Sequence, residues 1–131
     1  MPKLFIVFGS ISCLLSIVLG AFASHKLKTM LEPAALNSFQ VACDYQMSQG
    51  LGLILVAIMT AKWSEAKLLT TSGSFIFAGI VLFCGSLYLL SLTSIRHFGP
   101  INIGLVTPLG GSLMIIGWCC FVYSAIFQIK L

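Results

Sequence analysis

The side chains best equipped for chemistry are His25, Asp44 and Arg96, with Tyr45, Gln46, Gln49, Ser86, Tyr88 and Thr107 as hydrogen-bonding company. Gln40, Asp44 and Ser48 recur at i, i+4 and i+8, the spacing of one helix face. That face is expected to look into a helix bundle or an aqueous vestibule, because an ionisable group close to hydrocarbon needs a partner or water. His25, Lys26 and Arg96 are the cations available to it. Two readings of His25 with Asp44 stand side by side. One is an interfacial ion pair that fixes helix ends, the commoner use of such groups; the other is a pair that handles a proton or an ion.

Enzyme chemistry finds no foothold, and the chain is expected not to be an enzyme. It has no G-x-S-x-G, no H-E-x-x-H and no phosphate-binding glycine loop. One aspartate and two histidines far apart in the chain do not define a metal site, and no cofactor is implied. Cys13, Cys43, Cys84, Cys119 and Cys120 form an odd set without C-x-x-C and read as small core residues. Gly110-Gly111 after Pro108 could present a helix N-terminus to an anion, although close packing is the commoner use of such glycines.

The elements that must position these residues follow from composition. Of 131 residues, 59% are apolar and 8% charged, against roughly 25% charged in an average soluble domain. A small domain has too much surface to hide so much apolar side chain in water, so the bilayer is the expected solvent. Seven Lys and Arg against three Asp and Glu leave a formal charge of +4. These basic residues are scattered rather than clustered with aromatics, which argues against nucleic-acid binding.

A span needs about 20 apolar residues to cross roughly 30 Å of hydrocarbon, and the charges leave four such runs, near residues 4–22, 46–61, 72–92 and 108–129. The expectation is an all-α, integral-membrane four-helix bundle forming one domain over residues 1–131. Pro33 suits a first helical turn, and Leu36, Phe39, Cys43, Met47 and Gly50 keep helical spacing from there. The second span is therefore expected to be preceded by an amphipathic interfacial extension of the same helix. Thr107-Pro108 reads as a hydroxyl N-cap with proline at the first position of the fourth helix. Ala21-Phe22-Ala23 before Ser24 resembles a signal cleavage site, but the apolar run ahead of it is longer than the 7–15 residues of a signal core. Helices one and three both end in basic and histidine residues, and the next helix then opens near a proline; two ordinary hairpins are preferred to a duplicated one.

Helices in lipid attract through small residues and cross-helix hydrogen bonds. Gly9, Cys13, Ser16, Gly20 and Ser24 align on the first helix, and Gly110, Gly117 and Ser124 repeat every seven on the fourth, with Gly111 beside them. Glycine-rich stripes of this kind read as packing surfaces rather than as a substrate path. Four spans place the first and third loops on one membrane face, which gathers His25, Asp44, Tyr45, Gln46, Gln49, Ser86, Tyr88, Arg96 and Thr107 toward one end. Lys3, Lys62, Lys67 and Lys130 lie at the other end, and the positive-inside rule then tips both termini toward the cytoplasm.

The segment Gly20-Ala21-Phe22-Ala23-Ser24-His25-Lys26-Leu27 resembles the G-A-F-G-A-H-x-L signature of the YgdD-like family of small inner-membrane proteins, which has mitochondrial relatives. Tyr45-Gln46, Gly85-Ser86-Leu87-Tyr88 and Thr107-Pro108-Leu109-Gly110-Gly111 with Gly117-Trp118 resemble that family's further motifs, in order and over nearly the whole chain. Ala23-Ser24 stands where the family usually has Gly-Ala, and Gln49 where it commonly has histidine. An amide can hydrogen-bond but cannot carry a proton. The resemblance implies a four-helix membrane protein without signal cleavage and supplies no activity. The expected function is structural or accessory, with a lipid, a membrane-protein partner or a second copy docking at the end formed by loops one and three. The alternative is a small channel or transporter component with a polar vestibule around His25, Asp44 and Gln49.

Overall fold

Four long helices run Pro2–Met30, Pro33–Lys62, Lys67–Leu92 and Ile103–Phe127. The computed structural model describes the backbone of residues 1–131 and all side chains but that of Phe98. Each helix is long and apolar enough to cross a membrane. The second packs on the first and the third, and the third on the second and the fourth. The second and third thus form the central pair, with the first and fourth on its flanks, and the central pair buries the larger share of its surface.

The first helix runs on past the apolar span that closes near residue 22 and past the basic and histidine residues expected at its end. It continues through a π-helical turn, Ala23–Leu27, to Met30. No helix breaker stands in that stretch, and Ala23 and Leu27 pack with Phe39 and Cys43 of the second helix. The π-turn adds one residue to the local repeat, which keeps Ala23 and Leu27 buried while His25 and Lys26 stay exposed. Chain reversal follows at Leu31 and Glu32, both extended. Pro33 disfavours the α region for Glu32 and then occupies the first turn of the next helix.

The third helix begins at Lys67, earlier than the expected residue 72, and ends at Leu92. Loop three is a short antiparallel hairpin, His97–Phe98 with Ile101–Asn102, which hydropathy did not foretell. Its turn uses Gly99 at φ +63°, a region open to glycine without steric cost. Asn102, and not Thr107, caps the fourth helix, its Oδ1 accepting from the Gly104 N–H at 3.0 Å. Pro108 consequently lies inside the helix. Gly104 is exposed there, so water can serve the carbonyl that the missing proline N–H leaves open.

Glycines set how closely the helices approach. A Cβ on Gly9 would stand 2.7 Å from the Gly50 carbonyl oxygen, and one on Gly50 would stand 3.0 Å from that of Gly9. Between the third and fourth helices a Cβ on Gly117 would meet Ser72 O at 3.0 Å, and one on Gly110 would run into the backbone of Phe83. Gly111 has only ordinary contact with the Phe83 ring. Gly20 departs from the expected stripe, since no atom would lie within 4 Å of its Cβ. The buried line of the first helix is Phe5, Gly9, Ser12 and Ser16, rotated from the Gly20–Ser24 side.

Two outcomes follow for reversible unfolding in mixed micelles. Gly50→Leu should destabilise the bundle by about 1–3 kcal/mol through overpacking, while Gly20→Leu should stay within about 0.5 kcal/mol; equal losses would contradict this packing. Ser72 Oγ is the one fully buried side-chain polar atom without a hydrogen-bond partner among the described residues. Ser72→Ala should therefore leave stability unchanged or raise it, because it removes an unpaired hydroxyl.

Candidate functional site

At 1.5 Å per residue, about 20 residues counted inward from Lys3, Lys62, Lys67 and Gln128 reach the opposite hydrocarbon boundary near Ala23, Ala42, Leu87 and Pro108. His25, Asp44, Tyr88 and Thr107 thus share one level. They do not form one cluster.

Asp44 is exposed, as are Gln40 and Ser48. This face looks outward and not into a vestibule, because the second helix turns Phe39, Ala42, Cys43, Gln46 and Gly50 to its neighbours on the opposite side. His25 is exposed on the π-turn, and among the described residues no ion pair joins it to Asp44. Arg96 serves the end of the third helix: its Nη1 donates to the carbonyls of Leu90 at 3.2 Å and Thr93 at 3.0 Å. Cations beyond the last turn satisfy orphan carbonyls in this way.

The neutral polar residues are brought together across helices. Tyr88 donates its hydroxyl to Gln46 Oε1 at 2.5 Å, with Cys43 Sγ 3.6 Å away, and its ring lies 4.9 Å from that of Phe39. The Gln46 carbonyl accepts from Ser12 Oγ at 2.8 Å, which ties the first helix to the second. Ser86 Oγ donates to the Phe83 carbonyl at 2.9 Å and lies 2.5 Å from Thr107 Oγ1, so Thr107 supplies the proton of that second bond. Deeper in the membrane, Trp118 Nε1 donates to Gln49 Oε1 at 2.7 Å. Tyr45 is exposed, its ring centroid 4.7 Å from that of Phe83.

Trp118 was missed as a site residue, although one signal pointed to it. Tryptophan belongs at the membrane interface, and an indole N–H ten residues inside the fourth span must find an acceptor. Ser12 was likewise not singled out, and Cys84 was read only as a small core residue; Cys84 Sγ donates to the Ala42 carbonyl at 3.4 Å. The cysteines described are all free thiols.

Between the second and fourth helices lies a groove of about 670 Å³, bordered by Tyr45, Gln49, Phe83, Met114, Trp118 and Val122. Its lining is overwhelmingly apolar, and the Gln49 carboxamide is among its few polar groups.

A family model described as a protein of unknown function, DUF423, matches residues 19–111. Over 124 residues the chain is 43% identical to the UPF0382 membrane protein YwdK of Bacillus subtilis, covering 95% of this chain and 97% of that protein. It is 38% identical to the UPF0382 membrane protein SH2409 of Staphylococcus haemolyticus, covering 93% of this chain and 94% of the relative. For SSP2132 of Staphylococcus saprophyticus the identity is 39%, over 92% and 94% of the two chains. No solved structure matches. With four apolar helices and relatives aligned from end to end, the chain belongs to the DUF423 family of small membrane proteins of unknown function.

Proposed function

We propose that this protein is a non-enzymatic accessory component of the bacterial inner membrane, of the YgdD-like kind with relatives in mitochondria, and that its loop-one and loop-three end engages anionic lipid headgroups. One observation carries the reading: the polar side chains that meet across helices near that end spend their hydrogen bonds on each other, whereas the cations there stand exposed. Gln46 pairs with Tyr88 and Ser86 with Thr107. Among the described residues this leaves no continuous line of free polar groups through the membrane. At the headgroup level His25, Lys26, Lys28 and Arg96 are exposed.

Helix length supports the same end. The first two helices have 29 and 30 residues, about 45 Å at 1.5 Å per residue, and outreach roughly 30 Å of hydrocarbon. Their hairpin therefore projects beyond the hydrocarbon boundary, held by Leu27, Phe39 and Cys43. Lys26 and Lys28 ride on it. Each lysine near an anionic surface contributes about 1 kcal/mol, roughly fivefold in affinity.

In this reading both termini are cytoplasmic, with Lys3, Lys62, Lys67 and Lys130 on that side. A C-terminal green fluorescent fusion should fluoresce and a C-terminal alkaline phosphatase fusion should be inactive; the reverse pattern inverts the assignment.

The headgroup contact is tested by reconstituting the protein in vesicles of phosphatidylcholine with a minor share of phosphatidylglycerol, then extracting it gently for native mass spectrometry. Phosphatidylglycerol should be enriched on the wild type and depleted several-fold on Lys26→Gln/Lys28→Gln. Unchanged enrichment would remove the proposal. The same vesicles should show no ion or proton flux above protein-free controls; flux abolished by Asp44→Asn would favour a transport component instead.

A further inference from the structure

The groove between the second and fourth helices opens sideways into the bilayer, for Val122 and Tyr123 on its wall and Phe127 at its far end are exposed. Within it the orientation of Gln49 is fixed by chemistry. An indole N–H can only donate, so the amide oxygen must be the atom that faces Trp118 at 2.7 Å. The amide nitrogen and its two donors are then left over. Among the described residues they have no partner, yet they are not sealed in protein, since the only fully buried orphan is Ser72 Oγ. They are reached from the groove, which Gln49 lines.

Depth decides what can meet them. Gln49 lies thirteen residues before Lys62, about 20 Å along the helix, which sets it roughly 10 Å below the hydrocarbon boundary at the other end. Phospholipid ester carbonyls stay at that boundary, and water is absent at this depth. An acceptor able to reach Gln49 must therefore belong to a molecule dissolved in the hydrocarbon itself. A second copy of the chain fits poorly, because two-fold pairing would set one concave groove against another.

We infer that the groove binds a lipophile bearing a carbonyl oxygen on a flat unsaturated ring, of the isoprenoid-quinone class. The carbonyl accepts from Gln49 Nε2. The ring lies among Tyr45, Phe83 and Trp118, aromatic faces suited to offset stacking, and the apolar tail follows Val122 toward Phe127. This site is separate from the headgroup contacts proposed above, and either can fail without the other.

The test uses the full chain in phosphatidylcholine nanodiscs, with Trp63→Phe making Trp118 the sole tryptophan, and a decyl-substituted benzoquinone as the probe. Quenching of Trp118 should saturate with quinone. Half-saturation should rise about threefold in Gln49→Leu, the loss expected for one average hydrogen bond in the membrane interior. Val122→Phe, which fills the groove and leaves the Gln49–Trp118 bond in place, should abolish the saturable component with helicity unchanged. Quenching that grows linearly with quinone and is equal in all three proteins would overturn the assignment. So would saturable quenching that Gln49→Leu does not weaken, or a wild-type dimer that Gln49→Leu converts to monomer.

Discussion

Within hydrocarbon a polar group has no water to fall back on, and leaving one unpaired costs several kcal/mol. Cross-helix bonds in membranes contribute on average only about 0.6 kcal/mol each, so the penalty avoided outweighs the bond gained. The bundle is arranged around that asymmetry. Ser12 finds the Gln46 carbonyl, Tyr88 the Gln46 amide, Thr107 finds Ser86, and Trp118 finds Gln49. The short side chains of Ser12, Ser86 and Thr107 reach across only when the backbones are near, and here the glycines enter. Gly9 and Gly50 bring the first and second helices together within a turn of the Ser12–Gln46 bond, and Gly110 and Gly117 do the same for the third and fourth. Packing and polar pairing are thus one device.

The same rule places the charges. A carboxylate inside the bundle would need a dedicated cation; Asp44 instead sits at the boundary, on a face turned away from both neighbouring helices. Gln40 is exposed with it on the part of the helix that emerges from hydrocarbon, while Ser48, a turn deeper, returns its hydroxyl to the Tyr45 carbonyl at 3.3 Å. Arg96 donates to the Leu90 carbonyl in the last turn of the third helix and to those of Thr93 and Ile95 just beyond it, while Thr93 turns its own hydroxyl back on the Leu89 carbonyl.

Much of this was legible from composition and spacing. Four apolar runs specify four spans, and the line from Pro33 through Phe39, Cys43 and Gly50 specifies one long second helix. What was not legible turned on competition between local signals. Asn102 and Thr107 both offer a cap, and Pro108 favours the later start, but Asn102 ends a hairpin strand and already holds the Gly104 N–H. Nothing in the hydropathy of residues 93–102 announces that hairpin. Polarity was also a poor guide to facing. Asp44 looked like the inward residue because it is charged, yet burial goes to the face that carries Phe39 and Gly50, and the polar groups drawn inside are the neutral ones that can pair. Gly20 misled in the opposite sense, since a small residue marks an interface only where a neighbour stands opposite it.

The two flanks of the central pair are closed by the same move with different consequences. On one flank Phe5 of the first helix sets its ring against Gly73 of the third; on the other, Trp118 of the fourth sets its indole against Gly52 of the second. In both cases an aromatic ring fills the space that a missing Cβ leaves. A phenyl ring needs nothing further, and Phe8 beside Phe77, centroids 4.6 Å apart, completes that side. An indole brings an N–H into hydrocarbon, which obliges the second helix to offer an acceptor at Gln49, and a carboxamide cannot supply an acceptor without also bringing two donors. The first flank is chemically finished by its own side chains. The second carries its polarity forward to the groove, and so the asymmetry between phenylalanine and tryptophan in equivalent roles is what gives this bundle one side on which it can recognise a membrane-dissolved molecule.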